Sequence, residues 1–197
     1  MSYQTNYFDD EIVRLLQSGG VGFMPADTIY GLSCRALDKT AVGHLHKIKN
    51  RDKSKPFIVL ISNTDQLISL GIRVADATPV AEYWPGSLTI VCKASNSSAW
   101  LQMHTGTLAV RQPGNKELLE LMKKVGPIIS TSANRAVEEQ VSSVEQARAI
   151  FGDELDFYVD VGSLSNHLPS TIVRLKKDKL EVLREGAVKI RAKELYK

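Results

Sequence analysis

Apolar and polar positions run along this chain in blocks that switch between helical and extended periods. From Asp9-Asp10, the residues Ile12, Val13, Leu15 and Leu16 share one helical face, and Gly19-Gly20 stops the segment. Val21 to Met24 reads as a strand ending at Pro25, and Ile29 to Cys34 resumes an apolar, extended character. Asp38 is placed to cap a helix running through Leu45 and Ile48. Phe57 to Ile61 is a short continuous apolar run, the pattern of a strand covered on both faces. Asn63 is placed to cap the next helix, and Ala75 to Trp84 suggests another, ending at Trp84-Pro85-Gly86. Ser87 to Cys92 and Thr107 to Val110 read as strands, and Asn115 precedes a helix carrying Leu118, Leu119, Leu121 and Met122. Pro127 to Ile129 is a buried strand that delivers a turn at Ser130 to Asn134. Ser142 or Ser143 caps a helix ending near Gly152, and strands follow at Phe157 to Val161, Thr171 to Leu175 and Leu180 to Leu183.

Helices alternate with strands without forming regular βαβ units, so the expectation is an α/β fold on a mixed sheet. The 197 residues, 43% of them apolar, suit one domain over 1–197 with its core at about 9–190. No apolar run approaches the roughly 18 residues of a membrane helix. The polar, acidic start, Met1 to Asp10, lacks the basic-then-apolar form of a signal peptide. Cys34 and Cys92 are isolated in sequence, which fits a reduced, cytoplasmic setting.

The net charge of +3 is too small to announce nucleic acid, but its distribution matters. Lys47, Lys49, Arg51, Lys53 and Lys55 stand at alternate positions with only Asp52 opposing them. They form either a solvated helix end, where cations offset the helix dipole, or one basic face of an extended segment. Set beside the small hydroxyls and amide of Ser130-Thr131-Ser132-Ala133-Asn134, they suggest a polyanion site. There is no G-x-x-x-x-G-K-[ST] loop, and Gly19-Gly20-Val21-Gly22 follows a helix rather than opening one, the wrong order for a phosphate cradle. There is no G-x-S-x-G elbow, and His44 and His46 lie on different sides of a helix with no metal-ligand pattern beside them. Arg111 closes an apolar strand, so it needs a partner there: an internal carboxylate or a ligand. Tyr30, after the break at Pro25, reads as core.

Taken in order, Pro25-Ala26-Asp27-Thr28-Ile29-Tyr30-Gly31-Leu32, Lys49-Asn50-Arg51, Ala109-Val110-Arg111-Gln112-Pro113, Ser130 to Asn134, Ser170-Thr171-Ile172-Val173 and Leu183-Arg184-Glu185-Gly186-Ala187 resemble the YrdC/TsaC family of threonylcarbamoyl-AMP synthases. The resemblance spans about Val21 to Ile190. It implies a single YrdC-like domain, a twisted mixed sheet with flanking helices and a concave basic site. It implies a nucleotidyltransferase that joins L-threonine, bicarbonate or carbon dioxide, and ATP into threonylcarbamoyl-adenylate and pyrophosphate, with magnesium accompanying ATP. The adenylate would serve threonylcarbamoyladenosine formation in tRNA, with tRNA met directly or through a downstream transferase complex. Carried over by matching positions, Lys49, Arg51, Lys55, Thr107, Ser132, Asn134, Ser142 and Arg184 would face ATP, with Lys49 and Arg51 stabilising charge. Thr28, Tyr30, Arg111, Ser130 and Ser170 would face threonine, and no side chain would act as a nucleophile or metal ligand.

The chain departs from the family pattern at Ala26, where a threonine is usual, and at Leu60, near the place of a histidine found in many two-domain relatives. After Asn134 it reads Arg135-Ala136-Val137 rather than Ser-Gly, which shifts the spacing to Ser142. Two other readings stand beside the enzyme: a non-catalytic module binding double-stranded RNA or tRNA through the basic run, and a paralogue with a different acceptor.

Overall fold

A computed structural model describes residues 2–50, 57–95, 99–103, 105–134, 141–164, 168–191 and 194–195. Its frame is a ten-stranded mixed sheet in the order β1-β8-β2-β3-β7-β4-β6-β5-β9-β10. The strands are β1 (Tyr3–Thr5), β2 (Gly22–Pro25), β3 (Tyr30–Arg35), β4 (Ile58–Leu60), β5 (Leu88–Lys93), β6 (Thr107–Arg111), β7 (Ile128–Ser132), β8 (Phe157–Val159), β9 (Thr171–Lys176) and β10 (Lys179–Arg184). The pairs β1–β8, β2–β8, β4–β6 and β5–β9 are parallel. The pairs β2–β3, β3–β7, β4–β7, β5–β6 and β9–β10 are antiparallel.

The helices are α1 (Asp10–Gln17), α2 (Lys39–Lys49), α3 (Gln66–Ser69), α4 (Ala99–Gln102), α5 (Lys116–Val125) and α6 (Val144–Phe151). Four of them begin where a side chain satisfies an orphan N–H. Asp9 accepts from Ile12, Asp38 from Thr40 and Ala41, Asn115 from Leu118, and Ser143 from Gln146. No helix among the described residues is long and apolar enough to cross a membrane.

Alternation along the strands sends side chains to two faces. On one face Phe23, Leu32, Val59, Ile90, Val110 and Ile129 pack with Val42 and Leu45 of α2, Leu101 of α4 and Ala147 of α6. On the other face Met24, Leu60, Ile128 and Phe157 pack beneath α1 and α5 through Ile12, Leu16, Leu118 and Met122. These two helices cover only part of that face. One step further along the same strands, Ile58, Ser130, Ala109 and Arg111 look into an open cavity. The sheet thus builds its core and its cleft from one side-chain row.

Several expectations need correction. β1 is too short and polar to stand out in sequence; it forms by adding in parallel to β8. The expected helix at Ala75 to Trp84 is a 3-10 helix at Val74–Tyr83, with Pro79 inside it. Asn63 does accept from the Gln66 N–H, but the residue at the cap position of α3 is Asp65. The run at β4 is not covered on both faces, because Ile58 faces the cavity. Ser130 to Ser132 are not a turn: they are the last residues of β7, paired with Ser33, Leu32 and Gly31.

Candidate functional site

The cavity on the open half of the sheet has a volume of about 420 Å³. Ile58, Val91, Ala109 and Ile172 give it an apolar floor, and Thr28, Arg111, Ser130, Ser132, Ser170 and Arg184 supply polar groups. This combination, apolar lining with few convergent polar atoms, is the usual form of a small-molecule site. A second cavity of about 500 Å³ borders α2 and α4, lined by Val42, Gly43, Trp100 and Met103 among others, and holds none of the assigned site residues.

Arg111 ends β6 and is only 3% exposed. Its Nη2 donates to the Ala26 carbonyl at 2.6 Å, and its Nη1 lies 3.7 Å from Asp27 Oδ2. Nε and Nη1 have no hydrogen-bond partner among the described residues. Burial draws the guanidinium pKa down to about 10, against the upward pull of Asp27 and with the repulsion of Arg184. A buried, incompletely bonded guanidinium costs free energy unless an anion completes it, and its planar fork suits a carboxylate. Of the two partners expected of Arg111, the internal carboxylate is present at long range, as Asp27, and two N–H groups remain without a partner among the described residues.

Asp27 was not singled out in the sequence. It takes a left-handed φ of 73° at the β2–β3 turn, and its Oδ2 accepts from the Gly114 N–H at 3.0 Å. A non-glycine residue with positive φ joined to a buried arginine marks a functional turn. Ala26, where the family pattern has threonine, is buried and contributes its carbonyl to Arg111. Leu60 belongs to the core under α1 and α5 and does not line the cavity.

Ser170 and Arg184 are joined directly. Arg184 Nε and Nη2 donate to the Ser170 carbonyl at 3.2 and 2.7 Å, and Nη2 also reaches Ser170 Oγ at 3.2 Å. Burial lowers the Arg184 pKa. Gly186 allows this arrangement, since a Cβ there would stand 2.3 Å from the Pro169 carbonyl oxygen.

Lys49 departs from its expected place. It is the last residue of α2, 3% exposed, and its Nζ donates to the carbonyls of Ser132 and Asn134, each at 2.6 Å, and to Asn134 Oδ1 at 2.8 Å. It comes from the helical side of the sheet and holds the exit of β7, where Ser132 Oγ also donates to Asn134 Oδ1 at 2.7 Å. The expected charge contact is thus first of all a brace. Arg51 and Lys55 lie outside the described residues.

Tyr30 lines the cavity, but its ring and hydroxyl are engaged on the other side of the sheet. Alternation puts its ring on the face opposite Ser130 and Ser132, stacked on Phe23 with centroids 4.4 Å apart. Its hydroxyl donates to the Gly162 carbonyl and accepts from the Val161 N–H, each at 2.8 Å. Burial raises its pKa. Thr107 shares the face of Ala109 and Arg111, yet lies beyond the lining residues, with its hydroxyl 3.0 Å from Thr105 Oγ1. Ser142 is likewise outside the lining; its N–H donates to Gln146 Oε1 at 3.0 Å. The structure therefore gathers Thr28, Tyr30, Arg111, Ser130, Ser132, Ser170 and Arg184 in one lining, with Asn134 outside it and bonded to Ser132.

A Sua5/YciO/YrdC model, described as telomere recombination, matches residues 14–186. The chain is 33% identical over 179 residues to a putative threonylcarbamoyl-AMP synthase of Mycobacterium tuberculosis (strain ATCC 25618 / H37Rv), covering 89% of this chain and 82% of that one. It is 31% identical over 166 residues to the threonylcarbamoyl-AMP synthase of Pseudoalteromonas translucida, covering 81% of this chain and 89% of that one. Among solved structures, P. abyssi Sua5 complexed with L-threonine superposes with a TM-score of 0.82 at 26% identity. That match covers 94% of this chain but only 57% of the longer P. abyssi chain.

Proposed function

The chain belongs to the Sua5/YciO/YrdC family, and we propose from its site that it is a threonylcarbamoyl-AMP synthase, a nucleotidyltransferase forming L-threonylcarbamoyl-adenylate and pyrophosphate from L-threonine, bicarbonate or carbon dioxide, and ATP. The observation that carries this reading is Arg111: a buried guanidinium at the cavity wall whose Nε and Nη1 have no hydrogen-bond partner among the described residues, beside the hydroxyl-bearing Ser130 and Ser170. Such a pocket suits a small carboxylate carrying further polar groups. The apolar floor of Ile58, Val91, Ala109 and Ile172 offers contact to a methyl group. The relatives named threonylcarbamoyl-AMP synthase, and the Sua5 relative complexed with L-threonine, give that carboxylate its identity.

The chemistry asks for positioning. Threonine nitrogen and carbon dioxide give a carbamate, and a carbamate oxygen attacks the α-phosphorus of ATP as pyrophosphate leaves. Arg111 would bind the amino-acid carboxylate through an N–H left unpartnered, while Nη2 stays on the Ala26 carbonyl, fixing the nitrogen end of the substrate relative to the nucleotide. Ser130, on the same face of β7 as Ser132, offers its hydroxyl to ligand oxygens, while Ser132 donates to Asn134. Lys49 keeps the backbone of Ser132 and Asn134 in place from below. Excluding water once the substrates fill the cavity would protect the carbamate.

Magnesium would arrive with ATP: among the described residues the lining supplies hydroxyls and arginines and no carboxylate, so the ion would be held by ATP. When bound, it would neutralise charge on the leaving pyrophosphate. Delivery of the adenylate to tRNA, directly or through a transferase complex, belongs to the same proposal. A purely RNA-binding role through a stripe of alternating cations fits less well, since Lys49 is turned inward and held by backbone carbonyls. Release of pyrophosphate from ATP, followed with threonine and bicarbonate omitted in turn, tests the function; release that needs neither sinks it.

A further inference from the structure

Thr89 lies on β5, is 0% exposed and is not among the residues that line this cavity, yet its Oγ1 stands 2.9 Å from Ser170 Oγ. Ser170 does face the cavity, and Arg184 Nη2 donates to the same Oγ at 3.2 Å. A serine hydroxyl has one proton to give and room to accept two. An arginine never accepts, so Arg184 fills one acceptor position of Ser170. The sense of the remaining hydroxyl pair follows from burial. If Ser170 donates to Thr89, the Thr89 proton has no acceptor among the described residues, in a place closed to water. A buried unmade hydrogen bond of that kind is costly. If Thr89 donates to Ser170, the buried Thr89 hydroxyl is satisfied and the Ser170 proton is left to point into the cavity.

We propose, on the threonine reading of the cavity, that Thr89 is a positioning residue that sets Ser170 as an obligate hydrogen-bond donor toward an acceptor oxygen of the bound amino acid. With its acceptor positions filled by the buried Thr89 and by Arg184 at the cavity wall, Ser170 rejects ligand groups that only donate, an ammonium in particular. It selects the end of the substrate that carries lone pairs. This complements Arg111, also a pure donor, so the polar wall is donor-biased at two separate points.

The test is calorimetric titration of L-threonine into wild-type protein, Thr89→Val, Thr89→Ser, Ser170→Ala and the Thr89→Val/Ser170→Ala double variant, with ATP titrated separately in the absence of threonine. Valine keeps the shape of threonine and removes only the hydroxyl. Thr89→Val is expected to weaken threonine binding roughly 5- to 10-fold, about the worth of one hydrogen bond. Thr89→Ser should restore it, Thr89→Val should cost nothing further once Ser170 is alanine, and ATP affinity should hold throughout. Wild-type affinity in Thr89→Val, or the same loss in the Ser170→Ala background, overturns the role of Thr89. Neutron diffraction from deuterium-exchanged wild-type crystals gives a readout that needs no variant and no ligand. Deuterium on Thr89 Oγ1 along the line to Ser170 supports the donor sense, and deuterium on Ser170 Oγ pointing at Thr89 overturns it. Wild-type protein that takes up no threonine overturns the amino-acid reading of the cavity instead, and the deuterium positions still decide the donor sense.

Discussion

Lys49 Nζ donates to both oxygens of Asn134, the carbonyl at 2.6 Å and Oδ1 at 2.8 Å, so the C-terminus of α2 is fastened to the exit of β7. A lysine in the predicted nucleotide motif is therefore also a cross-brace. Lys49→Met keeps much of the apolar stem and removes the ammonium. It is expected to destabilise the protein by roughly 2–3 kcal/mol, since bonds to a charged donor are lost and their acceptors are left buried. In a chain of this size the melting temperature should fall by about 5 °C or more. Scanning calorimetry beside ATP titration checks this: an unchanged melt with abolished ATP binding would make Lys49 a direct nucleotide contact and not a brace.

Tyr30→Phe separates a core ring from a ligand-binding hydroxyl. The ring stays stacked on Phe23, while the Gly162 carbonyl and Val161 N–H lose their partner. Urea unfolding should show a loss of about 1–2 kcal/mol, and threonine affinity should stay within about 2-fold of wild type, less than a lost hydrogen bond. A large loss of threonine affinity with normal stability would return Tyr30 to the pocket.

Arg111→Lys tests the fork. Lysine keeps the charge but cannot hold a carboxylate and the Ala26 carbonyl from one planar group. Threonine affinity is expected to fall roughly 10-fold or more, with a loss of about 1.4 kcal/mol or greater. ATP binding without threonine should change little. If ATP affinity falls while threonine affinity holds, Arg111 serves the phosphates.

Asp9 gives a pH dependence of known sign. Burial works to raise its pKa, but hydrogen bonds from the Tyr3 hydroxyl and the Ile12 N–H outweigh it and leave the carboxyl below its ordinary value. A depressed folded value stabilises the protein above the unfolded pKa of about 3.9, and the gain is lost as pH falls through the folded value. Asp9→Ala should cost about 1 kcal/mol at neutral pH, the usual worth of such a cap. The gap from wild type should narrow below about pH 4. Urea unfolding of both proteins across that range measures it; a gap that stays constant in acid contradicts the charge-based account.

The elements legible in the sequence were those whose ends carry their own chemistry. Asp9, Asp38, Asn115 and Ser143 each sit at the cap that their residue type favours, because capping is local. β1 was not legible, since Tyr3 to Thr5 becomes a strand only by pairing with residues over a hundred and fifty positions away. Ser130 to Ser132 misled because serine and threonine favour turns, while pairing to β3 and β4 overrides that preference. At the site, Arg111 could be found as a charge ending an apolar strand. Asp27 and Thr89 could not: one acts through a left-handed turn and the other through a hydroxyl hidden inside a strand, and neither shows in residue type alone. Lys49 was found for its charge, but its direction depends on the register of α2 against β7.

The most direct test of the account is mass analysis of the nucleotide product formed from ATP, L-threonine and bicarbonate labelled with heavy carbon. The account predicts an adenylate that carries both the threonine and the label, formed with pyrophosphate and missing when either threonine or bicarbonate is withheld. An unlabelled adenylate, or hydrolysis of ATP without any threonine adduct, would contradict it.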